Sequence, residues 1–297
     1  MTLKEKFIEF DKLAPLQTAH LPNGDFSYRY YKNESPALDV TLVFLAGGSG
    51  LGNSIFYLAD MLLSKYNLIT FNYPMDFPTN ESLTDAMAEL FIQIGTKNIY
   101  LVGQSYGGLL AQIMARRHPN LIKGLILSGT CSLSGDINFE GMKNIVEMIH
   151  PKKVEKNIKK DKRIPMFLMV PAFKLKCKKF VKDKEIRKTF SDVVDICKDD
   201  LSNDYFVHMD MLLGDLATEF GSHKPEDFQK FDNEVLIFFS EGDTIFCDNL
   251  KKALIHLMTN PVVCNLEGGH LALLEHLDDY VSALDQFLLE RNSHPRL

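Results

Sequence analysis

Ser105 stands between Gly103 and Gly107 in the run LVGQSYGGLLA (101–111), which is apolar at its start, small in its middle and helix-forming at its end. A strand that turns sharply into a helix forces the residue at the bend into a strained conformation costing roughly 1–3 kcal/mol. Side chains two positions before and after the bend would strike the adjacent strands, and glycine removes the collision. This is the mechanical content of the G-x-S-x-G elbow. It lifts the serine oxygen clear of the backbone. It also aims the next amide, that of Tyr106, at whatever the oxygen attacks, from a helix N-terminus whose partial positive charge suits an oxyanion. The bland alternative is a chance G-x-S-x-G, since serine and glycine are common; the strand before and the helix after speak for the elbow.

A serine hydroxyl is a weak nucleophile near neutral pH and needs a base, which in turn needs an orienting carboxylate. Of nine histidines, His270 lies in NLEGGHLALLEH, just past the last apolar strand on a glycine-supported loop, at the sheet edge expected for Ser105. His276 is its rival but falls inside the following helical stretch, and His118 precedes Pro119 at a helix end on the far side. The other six occupy segments without such geometry. The carboxylate should follow the penultimate strand, where VLIFFSEGDTIF ends in Asp243; Glu241 is the runner-up, and a plain turn aspartate is the alternative reading of Asp243. An oxyanion hole needs a second amide. LAGGSG (45–50) follows an early buried strand, and the amide of Gly48 is its best candidate, with Ser49 next.

Positioning these groups requires strand ends at one rim. The pattern supplies them: strands are expected at 26–31, 39–48, 67–74, 97–103, 122–129, 233–243 and 261–269, with helices at 53–66, 81–95, 106–119, 248–258 and 271–290 between or after them. Continuous apolar runs such as DVTLVFL read as strands covered on both faces. Strands alternating with helices imply an α/β fold: a mostly parallel twisted sheet with helices on both sides. Ligands of such sheets bind outside the carboxyl ends of the strands. The alternation breaks from about 133 to about 228, which reads as a helical insertion.

That insertion is charged differently from its host. Residues 151–188 hold 15 Lys/Arg and 4 Asp/Glu, a net of +11, in a chain of net −6, so the rest sums to −17. Apolar residues are interleaved there, among them Phe167, Phe173 and Phe180. One reading is a solvated lysine face over a local core. The other is a basic, partly apolar surface that attracts anionic substrates or a membrane.

Composition is that of a soluble globular chain, and the mild negative charge argues against nucleic acid as a partner. MTLKEKFIEFDK carries charges where a secretory signal would be apolar. No run of apolar residues is long enough for a membrane span. Five cysteines (Cys131, Cys177, Cys197, Cys247 and Cys264) are scattered, without a CxxC pair or zinc spacing, and read as free thiols of a cytoplasmic protein.

The order Ser105…Asp243…His270, with GQSYGG, EGD and EGGH as anchors, resembles the α/β-hydrolase superfamily over nearly the whole chain. The resemblance implies a core of residues 1–132 and 229–297 and a helical cap of 133–228. There are departures. Ala46-Gly47 stands where His-Gly is common, NYPMDFPTN replaces a frequent Asp-x-Arg-Gly-x-Gly run, and the chain lacks the tryptophan usual after the serine in the prolyl aminopeptidase branch. A serine also speaks against the aspartate-nucleophile branches. The expected activity is hydrolysis of an ester, thioester or amide of a small-molecule acyl substrate through an acyl-enzyme, esters ahead of amides, without metal or organic cofactor. Rival readings are a non-catalytic binding or scaffold protein of the same fold, or a lyase, C–C hydrolase or acyltransferase.

Overall fold

The computed structural model describes residues 1–134, 145–178, 181, 183–246 and 248–292; Phe180, Cys247 and part of the 133–228 segment lie outside them. The chain opens with helix α1 (Leu3–Leu13), boxed at its start by Thr2 and Glu5, and an antiparallel pair, β1 (Leu16–Leu21) and β2 (Gly24–Tyr31). Alternation follows: β3 (Thr41–Leu45), a short helix α2 (Phe56–Ala59), β4 (Asn67–Thr70), α3 (Asn80–Gln93), β5 (Ile99–Gln104), α4 (Tyr106–Arg117) and β6 (Ile122–Ser128). After helical residues 145–149, the described chain continues with helices α5 (Pro151–Asp161), α6 (Met166–Cys177), α7 (Lys184–Ile196) and α8 (Asn203–Glu219). The sheet resumes with β7 (Val235–Ser240), α9 (Asp248–Leu257) and β8 (Val262–Leu266), and the chain closes with α10 (Ala272–Glu275) and α11 (Leu277–Asn292).

One eight-stranded sheet runs in the order β1-β2-β4-β3-β5-β6-β7-β8. β2 meets β4 antiparallel, and every pair from β4 to β8 is parallel. Every residue of β3 and β7 is buried, which is why TLVFL and VLIFFS are unbroken apolar runs. β8, at the edge, alternates half-buried and exposed positions. From β3 the chain crosses to β4 on one side and then to β5 on the other. The carboxyl ends of β3 and β5 therefore flank the switch point where open α/β sheets bind ligands.

Three expectations from sequence need correction. α1 and β1 had no place in it. The helix expected at 53–66 is a 3₁₀ turn (Gly52–Ile55), the single turn of α2 and further separate turns. Leu58, Leu62, Leu63 and Tyr66 are nonetheless buried, so their spacing marks the covered face rather than continuous hydrogen bonding. The helix expected at 271–290 breaks at His276, which leaves the helical region at φ −131, ψ 48.

Helices α5–α8 lie in the connection between the adjacent strands β6 and β7. α5 lies against α8, with Val154 packed at Gly214 so closely that a Cβ there would come within 2.9 Å of it. Asp183 caps α7 through the amides of Glu185 and Ile186, and Ser202 caps α8 through that of Tyr205. Several contacts tie this layer to the core, notably Arg116 Nη2 of α4 donating to Glu219 Oε2 of α8 at 2.6 Å.

Candidate active site

The bend between β5 and α4 carries Ser105 at φ 53, ψ −116, a region that residues with a Cβ rarely occupy. The surrounding packing imposes it. A Cβ on Gly103 would lie 2.4 Å from the Gly107 carbonyl oxygen, and one on Gly107 would lie 2.0 Å from that of Leu45. The Ser105 amide donates to Ser128 O at 2.9 Å, and Thr130 Oγ1 donates to Ser105 O at 2.8 Å, so β6 holds the bend from the side.

Two other strand ends deliver the partners. The loop after β8 places His270 Nε2 2.9 Å from Ser105 Oγ. The turn after β7 places Asp243 Oδ2 2.9 Å from His270 Nδ1. The other oxygen, Asp243 Oδ1, accepts from the amides of Ile245 at 2.8 Å and Phe246 at 3.2 Å, which fixes the carboxylate's plane. The His270 and Asp243 side chains are 6% and 2% exposed, so the pair works away from bulk water. Burial alone would raise the Asp243 carboxyl; hydrogen bonds from His270 and the two amides outweigh it and hold Asp243 below the usual carboxylate range. With an ionised carboxylate at Nδ1, the neutral ring carries its proton there and turns the Nε2 lone pair to the serine hydroxyl.

The rival residues lie elsewhere. Glu241 is exposed beyond the end of β7. His276 approaches Asp279 at 3.6 Å, and His118 pairs with Asp85 at 2.7 Å at the far end of α4.

The loop after β3 forms a turn closed by Gly50 N–H donating to Gly47 O at 2.9 Å, and Gly48 and Ser49 occupy its apex beside the cavity that Ser105 and Tyr106 also line. A histidine is common where Ala46 stands, and the structure shows what holds this loop instead. Tyr73 Oη donates to Ala46 O at 2.6 Å. Tyr205 Oη, from α8, donates to Gly50 O at 2.8 Å and accepts from the Tyr73 amide at 3.2 Å. Burial pushes both phenols well above the usual range, so both remain donors at any working pH. The ring of Tyr106 is anchored as well, its Oη donating to Asn80 Oδ1 at 2.7 Å, while the Asn80 amide donates to Asp215 of α8. Sequence reasoning missed Tyr73 and Tyr205; the only signal was the departure at Ala46.

Ser105 opens into a cavity of about 350 Å³. The inserted segment contributes Met148, Phe173, Phe190 and Leu213 to its wall, and the core contributes Phe246 and Leu274 among others. Among the described residues that line it there is no Asp, Glu, Lys or Arg. A smaller cavity of about 80 Å³ adjoins it, sharing Ser54, Tyr57, Phe190 and Leu274. Among the described residues, no three His, Cys, Asp or Glu side chains converge as metal ligands, and no helix is long and apolar enough to cross a membrane.

Comparison with known proteins agrees with this architecture. A family model described as alpha/beta hydrolase fold matches residues 40–167. A proline iminopeptidase of Lactobacillus crispatus is 35% identical over 31% of this chain, and that match spans only 36% of the relative's length. Among solved structures, an esterase from Exiguobacterium antarcticum superposes with TM-score 0.67 at 16% identity, covering 92% of this chain and 98% of its own. A thermophilic esterase from Thermogutta terrifontis gives 0.65 at 17% identity, covering 94% and 100%. A bromoperoxidase from Bacillus anthracis gives 0.61 at 15%, covering 92% and 99%, so a shared fold spans differently named activities.

Proposed function

We propose that this member of the α/β-hydrolase superfamily is a serine hydrolase that cleaves esters of uncharged, apolar acyl groups. The observation that carries the proposal is the continuous hydrogen-bonded line from Ser105 Oγ through the His270 ring to Asp243, with Ser105 and His270 lining an apolar cavity.

In this reading His270 Nε2 takes the hydroxyl proton as Ser105 Oγ bonds to the acyl carbon. The carbonyl electrons move onto the oxygen, which the amides of Gly48 and Tyr106 receive. Tyr106 is the first residue of α4, so its amide has no intrahelical acceptor and faces outward with the helix dipole behind it. Asp243 stabilises the imidazolium. The proton then passes from Nε2 to the leaving alkoxide as the ester C–O bond breaks, leaving an acyl-enzyme and an alcohol. Water enters, gives a proton to His270 and bonds to the acyl carbon; the Oγ–acyl bond then breaks, His270 returns the proton to Ser105 Oγ, and the acyl group leaves as an acid. Each oxyanion donor of this kind is worth about 10²–10³ in rate.

The partial likeness to proline iminopeptidases favours a second reading, cleavage of an N-terminal imino acid. Such a substrate carries an ammonium, whose burial without a carboxylate costs several kcal/mol. The described lining residues offer no carboxylate within the cavity, which supports esters over the imino acid. The test is turnover of a p-nitrophenyl ester series against proline p-nitroanilide. Efficient ester hydrolysis, lost in Ser105→Ala and with one preferred chain length, is expected. Faster turnover of the anilide would select the second reading, and no turnover of either would point to a binding protein.

A further inference from the structure

Helix α6 (Met166–Cys177) is apolar on both of its faces. The inner face is used: Met169 is buried, and Phe173 and Cys177 line the catalytic cavity. Among the described residues, nothing covers the outer face. Phe167, Leu168, Pro171, Ala172 and Leu175 are all exposed, and their spacing of one, three, one and three residues makes a single stripe along the helix. Phe167 is 75% exposed, Leu168 52% and Leu175 66%. Isolated apolar residues on a surface are ordinary, but a contiguous stripe marks an interaction site.

Charge identifies the kind of partner. Exposed Lys162 and Arg163 stand just before the helix and exposed Lys178 just after it. The preceding helix α5 exposes Lys152, Lys153, Lys156, Lys159 and Lys160, of which Lys159 is paired with Glu155. Residues 151–188 carry a net +11 in a chain whose total is −6. Apolar side chains bracketed by lysines and arginines match the boundary between anionic headgroups and acyl chains.

We propose that the outer face of α6 seats on an anionic lipid surface, with Phe167, Leu168 and Leu175 entering the headgroup–acyl boundary and Lys162, Arg163 and Lys178 meeting lipid phosphates. The bilayer then lies one helix away from the cavity that Phe173 lines. The inference does not depend on the hydrolase reading, because none of the seating residues lines that cavity.

Flotation of the full chain with vesicles tests it, using phosphatidylcholine alone and phosphatidylcholine mixed with phosphatidylserine. The wild type is expected to float with the mixed vesicles, not with phosphatidylcholine alone, and to be released by salt. Phe167→Ser with Leu175→Ser should weaken binding at least tenfold. Lys162→Glu with Arg163→Glu should weaken it more than twentyfold, since each cation near such a surface is worth about fivefold. Turnover of a soluble short-chain p-nitrophenyl ester should be the same in all forms that turn it over. If the double serine variant melts early, Leu168→Ser alone decides. Equal binding to both vesicle types, or apolar variants that bind like the wild type, would overturn the proposal. So would a lipid-free dimer that Phe167→Ser dissociates, which would make a second copy the occupant.

Discussion

At the rim of the sheet, backbone sets the geometry. Ser105 is held at positive φ by two glycines whose Cβ atoms would strike carbonyl oxygens, and by hydrogen bonds to β6. Asp243 is fixed by two amides, and Gly48 sits on a turn closed by a main-chain hydrogen bond. In the helical layer above, side chains do the shaping: Met148, Phe173, Phe190 and Leu213 form the wall and make no polar contribution to it. The two regions divide the work. In the proposed hydrolase the first would hold the reacting atoms in place, as covalent chemistry requires, and the second would exclude water and select by volume. They meet at Tyr205, a residue of the helical layer whose hydroxyl holds the glycine turn of the rim.

Substitutions at the rim should cost most. Ser105→Ala is expected to lower kcat by about 10⁴- to 10⁶-fold with the fold intact, measured on the best ester. Gly107→Ala should lose both activity and thermal stability, because its Cβ would sit 2.0 Å from Leu45 O. An alanine variant as active as wild type would sink the account of the bend.

Next comes the meeting point. Tyr205→Phe removes one hydroxyl and leaves the ring. It should lower kcat about tenfold with KM nearly unchanged, a loss of about 1.4 kcal/mol confined to the transition state. A trifluoromethyl ketone that mimics the tetrahedral oxyanion should weaken in parallel. A rise in KM alone would make Tyr205 part of the wall and erase its link to the rim.

Changes in the helical layer should redistribute activity rather than remove it. Phe190 borders both cavities, so Phe190→Ala should join them and move the preferred chain length upward. The gain for each extra methylene buried is about fourfold. An unchanged chain-length profile would show that Phe190 does not limit the pocket.

The smallest effect concerns stability in acid. The His223 ring 3.7 Å away, the Arg116 guanidinium and Ser222 together outweigh burial and hold Glu219 at about 2. A carboxylate lowered on folding stabilises the protein fully above its ordinary value, and that contribution is lost as pH falls through the folded one. The layer's attachment through Glu219 should therefore weaken between about 4.5 and about 2. Glu219→Gln should flatten the denaturation midpoint over that window; a curve identical to wild type there would remove Glu219 from the attachment.

What the sequence could show follows from the same division. β3, β5 and β7 are legible because strands buried on both faces are unbroken apolar runs. Ser105 and Asp243 each follow such a run, and His270 follows the edge strand β8 at the same end of the sheet, so the three could be named together. The α1–β1 opening is not legible, since in LQTAHL only Ala19 and Leu21 are buried, and the strand gains its order from pairing with β2. Tyr73 and Tyr205 are 132 residues apart, and nothing local in either distinguishes a loop-holding hydroxyl from a core ring. The breaks at α2 and His276 escaped because apolar spacing reports the buried face and is silent about where helical hydrogen bonding stops.

The central claim is that Ser105 is a nucleophile activated by His270. Intact-protein mass after treatment with a fluorophosphonate measures this directly. The account predicts one adduct on the wild type, none on Ser105→Ala, and much slower labelling of His270→Ala and Asp243→Asn. Absence of labelling on the wild type, or an adduct that persists in Ser105→Ala, would contradict it.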